Sequence, residues 1–168
     1  AIVFGILSAQ MVNQNFRGRS FIRSTLLFPY VAPVVALAFT WELLLDPNSG
    51  TLNNLLLNYN IIDKPINLLG QKYVSIFVFG FEFKLRLALT TVIIFEIWRY
   101  FPLAFLFILA RLQAVPKELY EAADIDGAGP YTKFMNITLP QITAVISILF
   151  MIRFIWNFNK FEDIFLLT

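Results

Sequence analysis

The chain has 168 residues, 58% of them hydrophobic and only 14% charged, where a soluble domain carries nearer a quarter charged residues. Net charge is +2 and dispersed, which excludes a nucleic-acid footprint; cysteine and histidine are both absent, which excludes disulfides, thiol chemistry and the commonest metal ligands. Long apolar runs and a mean hydropathy of +0.70 leave a polytopic membrane protein, an all-α bundle of spanning helices.

Residues 1–12 read as the last turns of a membrane helix, followed by a polar turn at 13–20. Arg17, Arg19 and Arg23, with no acid among them, place that turn in the cytoplasm. Ser24 to Leu45 is long enough to cross, with Pro29 and Pro33 predicting a kink near its inner end and Trp41 an anchor at the outer headgroups. Asp46-Pro47-Asn48-Ser49-Gly50 is a strong turn on the external face. The connection Thr51–Lys72 is then external, with a short surface helix around Leu52–Asn58. Basic residues are nearly balanced across the two faces, so the arginine-only first turn and the acidic segment described below decide the orientation. Phe81–Leu87 alternates with period two, which suggests a strand or a half-wet interfacial segment. For Tyr73–Leu87 as a whole the expectation is irregular or partly helical structure.

Ala88 to Ala110 is the next span, running inwards. It carries Glu96, Trp98, Arg99, Tyr100 and Pro102. Glu96 and Arg99 are three apart and share a helix face, where they can pair. Charge at that depth faces a bundle interior or a water-filled path. Two readings stay open: a translocation pathway, or a buried strut that fixes packing. Pro102 weakens the helix at the same level.

Arg111 ends this span, and Lys117–Pro140 is a polar island that must lie in water. Pro116 suits a helix start, Leu119 to Ala123 are mostly good helix formers, and Gly127 and Gly129 end the helix. Pro130 opens a second short helix through Met135, and Pro140 marks the entry to the next apolar run. Ala122, Ala123, Gly127, Ala128 and Gly129 are small enough for another protein to approach the backbone closely. Glu121 and the neighbouring acids offer charge to basic side chains on that surface. The chain recrosses through Ile142–Phe154, with Arg153 and Trp156 near the outer end, and reaches an external turn at 157–163. It opens and closes in mid-hydrophobic run, which is read as an internal piece lacking terminal helices.

Glu121-Ala122-Ala123, three residues, Gly127, nine residues and then Ile137-x-Leu139-Pro140 resembles the EAA signature. That signature belongs to the membrane subunits of binding-protein-dependent ABC importers. Phe16-Arg17-Gly18-Arg19, Ile97-Trp98-Arg99-Tyr100-Phe101-Pro102 and Leu112-Gln113-x-Val115-Pro116-Lys117-Glu118-Leu119-Tyr120 are similar to the carbohydrate branch of that family. The ending Arg153-x-x-Trp156-x-Phe158-x-x-Phe161-Glu162-Asp163 resembles the maltose-type first permease subunit. Residues 59–87 depart from the pattern and leave the external cap undetermined.

The resemblance implies a partial type I permease domain over 1–168, in the plasma (inner) membrane of a prokaryote, with a cytoplasmic coupling loop at 112–140. It implies a homologous second permease, a cytoplasmic ATPase dimer and an external solute-binding protein as partners. Glu121 through Gly129 would form a coupling helix seated in an ATPase groove. Glu121 would meet a basic residue there, Gly127 would permit the turn, and Ala122, Ala123, Asp126, Ala128, Gly129, Leu139 and Pro140 would complete the coupling set. The chain shows no GxxxxGK[ST] and no histidine, so no enzyme activity and no cofactor are expected in it, ATP and magnesium belonging to the partner ATPase. Sugars or related polyols are the implied solutes. Trp98, Tyr100, Trp156 and Asn157 offer the aromatic faces and amide that suit a sugar, joined in the pathway set by Glu96, Arg99 and Arg153; for Trp156 an interfacial anchor is the favoured role. The competing readings are a stand-alone secondary transporter or channel using Glu96, Arg99 and Arg153, and a membrane-embedded assembly subunit.

Overall fold

The structure, a computed structural model, describes residues 1–70, 74–78 and 81–158, and among these helices dominate. In chain order they are α1 (Ile2–Asn13), α2 (Arg19–Val31), α3 (Val34–Leu45), α4 (Thr51–Asn58), α5 (Leu87–Gln113), α6 (Lys117–Ile125), α7 (Pro130–Lys133) and α8 (Leu139–Phe158), with a π turn over Phe134–Thr138. Between α4 and α5 lies an antiparallel hairpin of β1 (Val74–Val78) and β2 (Phe81–Leu85), in register Val74 to Leu85 and Val78 to Phe81. The period-two alternation is therefore a strand, and the irregular or partly helical expectation for this stretch is corrected. Alternation outweighed helix propensity because a hairpin satisfies its backbone groups across the ladder.

Among the described residues two helices are long and apolar enough to cross a membrane: α5, and a continuous path from Pro130 to Phe158. A third span is reached only by counting α2 and α3 together. The expected kink between them is a complete break at Ala32-Pro33. Pro33 has no N–H to donate and pushes Ala32 out of the helical region, whereas Pro29 is accommodated inside α2. Pro102 does not interrupt α5, which runs 27 residues and takes Arg111 into its last turn.

Pro140 stands in the first turn of α8, at the entry to the apolar run as expected. A proline ring collides with the carbonyl four residues back. Just before it the helix widens, with the Leu139 N–H reaching Phe134 O, one residue further than an α-helical bond. The wide turn lets the helix pass Pro140 unbroken. At the far end Asn157 and Phe158 are still helical, so the expected external turn does not begin there, and its remainder from 159 lies outside the described residues.

Packing groups the chain into two units, one of Ala1–Val31 with Ile97–Asn159, the other built on Ala32–Glu96. In the first, Ala9 and Val12 of α1, Ala104, Phe105, Ile108, Leu109 and Leu112 of α5, and Ile142 and Leu149 of α8 form a buried core. Their spacings of three, four and seven put each set on one helix face. A Cβ built on Gly5 would sit 2.6 Å from Ala104 Cβ and 2.9 Å from the Phe105 nitrogen, so α1 meets α5 almost backbone to backbone. Between lipid-embedded helices such close approach supplies the dispersion contact that drives association. The outward faces remain apolar: Phe150, Met151, Phe154 and Ile155 are all more than half exposed, a surface suited to lipid or another helix and not to water.

In the second unit the turn after α3 is built on Asp46. Its Oδ1 accepts from the Asn48 amide at 2.9 Å, the Ser49 amide at 2.7 Å and the Ser49 hydroxyl at 2.9 Å. These bonds, led by the Ser49 backbone N–H, hold the Asp46 carboxyl below the ordinary carboxylate value. Asn53 of α4 is buried. Its Nδ2 donates to Ile66 O at 3.0 Å and its Oδ1 accepts from Ile66 N–H at 3.0 Å, tying the following connection back to the helix. Trp41 packs edge-to-face on Phe95 at 5.4 Å and lines an apolar cavity of about 560 Å³ with Leu45, Leu52, Leu55 and Leu68.

Candidate functional site

The segment 114–138 forms a helical hairpin in which no residue of α6 is fully buried, Tyr120 and Ala123 being half-buried and the rest exposed. Glu118 lies in the first turn, where acid suits the positive end of the helix. The far end closes through Gly127, whose φ is +72°. The Gly127 N–H reaches Asp124 O at 3.1 Å and the Ala128 N–H reaches Ala123 O at 2.8 Å. That pair of bonds is a Schellman closure with Asp126 as C-cap and Gly127 in the left-handed position. Ala123 and Ala128, which meet across the closure, are half-buried. Gly127 is thus needed for its backbone and not for room, since nothing lies within 4 Å of a Cβ added there. Gly129 then caps α7 with Pro130 at its first position.

Three polar ties brace this hairpin. Arg111 Nε donates to Gln141 O at 2.9 Å and its Nη2 to Gln141 Oε1 at 2.5 Å, clamping the end of α5 to the start of α8. Tyr120 Oη and Thr138 Oγ1 are 3.0 Å apart, joining α6 to the π turn. Lys133 forms an ion pair with Asp124 between α7 and α6. Arg111, Gln141, Tyr120 and Thr138 carry this framework, and none of them was singled out from the sequence as a site residue. Pairs 18 and 30 residues apart leave no periodic trace.

Of the predicted coupling residues, Glu121, Ala122, Asp126, Gly127 and Gly129 are exposed on the hairpin, while Ala123 and Ala128 are turned partly inwards. Leu139 is half-buried and Pro140 exposed, both within the first turn of α8. The hairpin surface is also apolar in places: Ile125 is 88% exposed and Tyr131 73%.

The predicted pathway residues of the first unit gather on Tyr100. The Arg153 guanidinium lies over its ring at 3.9 Å from the centroid. Arg99 donates to Tyr100 Oη at 3.1 Å, and its guanidinium is 4.9 Å from the same ring. Trp156 tilts against Tyr100 at 6.3 Å, and Tyr30 meets it edge-on at the same distance. Two guanidiniums at one ring make a cation–π cluster, and Arg153 through it ties α8 to α5. Tyr30 joins it from α2 without having been predicted. Glu96 and Trp98 are half-buried on α5, and Asn157 is exposed in the last turn of α8. Among the described residues no group of acids could hold a metal ion.

Comparison with known proteins bears on the whole of this arrangement. Residues 1–161 match the family described as "Binding-protein-dependent transport system inner membrane component". The chain is 37% identical over 166 residues to the inner membrane ABC transporter permease protein YcjO of Escherichia coli (strain K12), covering 99% of this chain and 53% of that protein. It is 32% identical over 166 residues to the trehalose/maltose transport system permease protein MalF of Thermococcus litoralis, covering 99% of this chain and 51% of the other. Among solved structures it is similar, with TM-score 0.73 and 26% identity over 90% of this chain and 48% of that one, to a bacterial alginate ABC transporter in complex with an alginate pentasaccharide-bound periplasmic protein. The chain therefore spans about half the length of the relatives it matches.

Proposed function

The chain belongs to the family of inner membrane components of binding-protein-dependent transport systems, a family of transport permeases and not of enzymes, and from that premise we propose how it works. It is a membrane-spanning permease segment of an ATP-driven importer for sugars or related polyols. Solute arrives from an external binding protein, a homologous second permease completes the path, and nucleotide with its magnesium is bound and hydrolysed in a separate cytoplasmic ATPase dimer.

One observation carries the reading. Helix α6 has no buried side chain, yet it is closed by a left-handed glycine and tied through Tyr120 to Thr138 in the turn that leads into α8. A helix so fixed and so exposed is a part made to be gripped. Movement of the ATPase dimer changes the contacts on α6, and differential contact in two states is what shifts the spanning helices between inward- and outward-facing forms. Glu121 supplies the charge that meets a basic group on the ATPase, while Ala122, Asp126, Gly129 and the neighbouring small residues allow close approach. The Tyr100 cluster lies on α5 and α8, the two helices the hairpin joins, and supplies the aromatic faces and donors on which a solute passes.

The test is co-purification of the ATPase with the full-length permease. Glu121→Lys reverses the charge at the grip and is expected to lower ATPase recovery about tenfold or more, as loss of one partner of an interfacial charge pair does. Recovery equal to wild type in both Glu121→Lys and Gly127→Asp would remove the coupling role.

A further inference from the structure

We propose that Tyr120 and Thr138 are positioning residues for coupling: the bond between their hydroxyls pins α6 to the π turn and makes displacement of the coupling helix displacement of α8. The inference rests on the reading of α6 as the part an ATPase grips.

Helix α6 is thinly anchored. It buries no side chain of its own, so packing alone does not bind it to the spans. Of the three ties in the hairpin, the Arg111–Gln141 clamp joins α5 to α8 and bypasses α6. The Asp124–Lys133 pair has its acid 65% exposed, and an ion pair in water holds little. The Tyr120–Thr138 bond differs from both. Thr138 is 5% exposed and Tyr120 half-buried, so this bond is better shielded than the Asp124–Lys133 pair. Tyr120 and Thr138 also line, with Gln10, Asn13, Lys133 and Phe134, an open groove of about 360 Å³. With open space on that side, the bond and not packing sets the distance between α6 and the turn.

The receiving end suits the task. The π turn is the wide point at which the helix accommodates Pro140. Force applied there reaches α8 directly and, through Gln141, the end of α5.

The experiment uses the full-length permease assembled with its partner subunits in nanodiscs, with a bimane dye on Phe158→Cys at the far end of α8. The readout is the change in dye emission when the ATPase is trapped with ATP and vanadate. Tyr120→Phe and Thr138→Val each remove one hydroxyl at nearly constant volume. Both are expected to keep wild-type ATPase stoichiometry while the emission change falls about three- to tenfold, the loss of one partly buried hydrogen bond. Thr138→Ser keeps the hydroxyl and stays within about twofold of wild type. The double variant Tyr120→Phe with Thr138→Val is no worse than either single change. A full emission change in either single variant overturns the pin, as does a double variant in which the two losses multiply, or loss of ATPase from the complex in Tyr120→Phe. Glu121→Lys in the same preparation separates the two claims: if it retains the ATPase, the underlying reading fails; if it loses the ATPase while Tyr120→Phe responds fully, only the pin fails.

Discussion

Gly127 offers the cleanest perturbation in the hairpin, because its environment isolates one physical cause. Its φ is +72° and nothing lies within 4 Å of an added Cβ, so a side chain there meets the backbone's preference and no neighbour. For a residue with a Cβ the left-handed conformation costs about 1–2 kcal/mol. Substitution by alanine also narrows the freedom of the open chain, which returns about 0.4–1 kcal/mol. The net for Gly127→Ala is about 1 kcal/mol, or roughly fivefold in the equilibrium between closed and open turn. Asparagine tolerates this region and is expected to lose less, whereas valine, β-branched, loses more. Hydrogen exchange of the 121–133 peptide in the full-length permease reads this directly, since the Gly127 and Ala128 amides carry the closing bonds to Asp124 and Ala123. The expected order of protection is glycine, asparagine, alanine, valine. Alanine protected like glycine, or asparagine as unprotected as valine, would refute a conformational role and leave side-chain volume as the determinant.

Three further outcomes follow from the packing. Gly5→Leu drives a side chain into Ala104 and the Phe105 backbone, and thermal unfolding in detergent is expected to register about 1–3 kcal/mol of destabilisation or more. Asn53→Leu strands the N–H and the carbonyl of Ile66, at about 1–3 kcal/mol for a buried unpaired group, and limited proteolysis is expected to open the connection at 59–69 first. The lowered Asp46 carboxyl means that the turn's electrostatic contribution is fully present above the ordinary value of 3.8 and is lost as pH falls through the lower folded value. Carboxyl-carbon NMR of Asp46 should show a titration below 3.8 that Ser49→Ala moves back upwards.

What the sequence disclosed and what it withheld divide along a physical line. The hairpin at 114–138 was readable because its punctuation is local: Pro116 opens α6, Gly127 closes it, and Gly129 and Pro130 start the next turn. The short helix after the Asp46 turn was readable for the same reason, and α4 runs from Thr51 to Asn58, one residue from expectation. Pro33 broke a helix where a kink was expected, Pro102 and Pro140 break none, and the difference lies in what the surrounding helix can do. Pro102 is buried within a continuous span and Pro140 follows a widened turn, while Pro33 stands beside a short apolar helix that simply restarts. The bonds of Arg111 to Gln141, Tyr120 to Thr138 and Asn53 to Ile66 were invisible, since each joins residues 13 to 30 apart through tertiary packing alone. Tyr30 entered the Tyr100 cluster by the same route. The likeness to the carbohydrate branch, by contrast, lay in contiguous strings and is matched by the relatives found.

Coupling as proposed requires Glu121 to face the cytosol and meet an ATPase. This chain contains no cysteine, so Glu121→Cys introduces a single thiol into it. An impermeant maleimide applied to inside-out and right-side-out membrane vesicles reports its side, and prior addition of the ATPase reports its occupancy. Labelling in inside-out vesicles alone, suppressed when the ATPase is bound, is the predicted result; labelling from the outer face, or labelling indifferent to the ATPase, would contradict it.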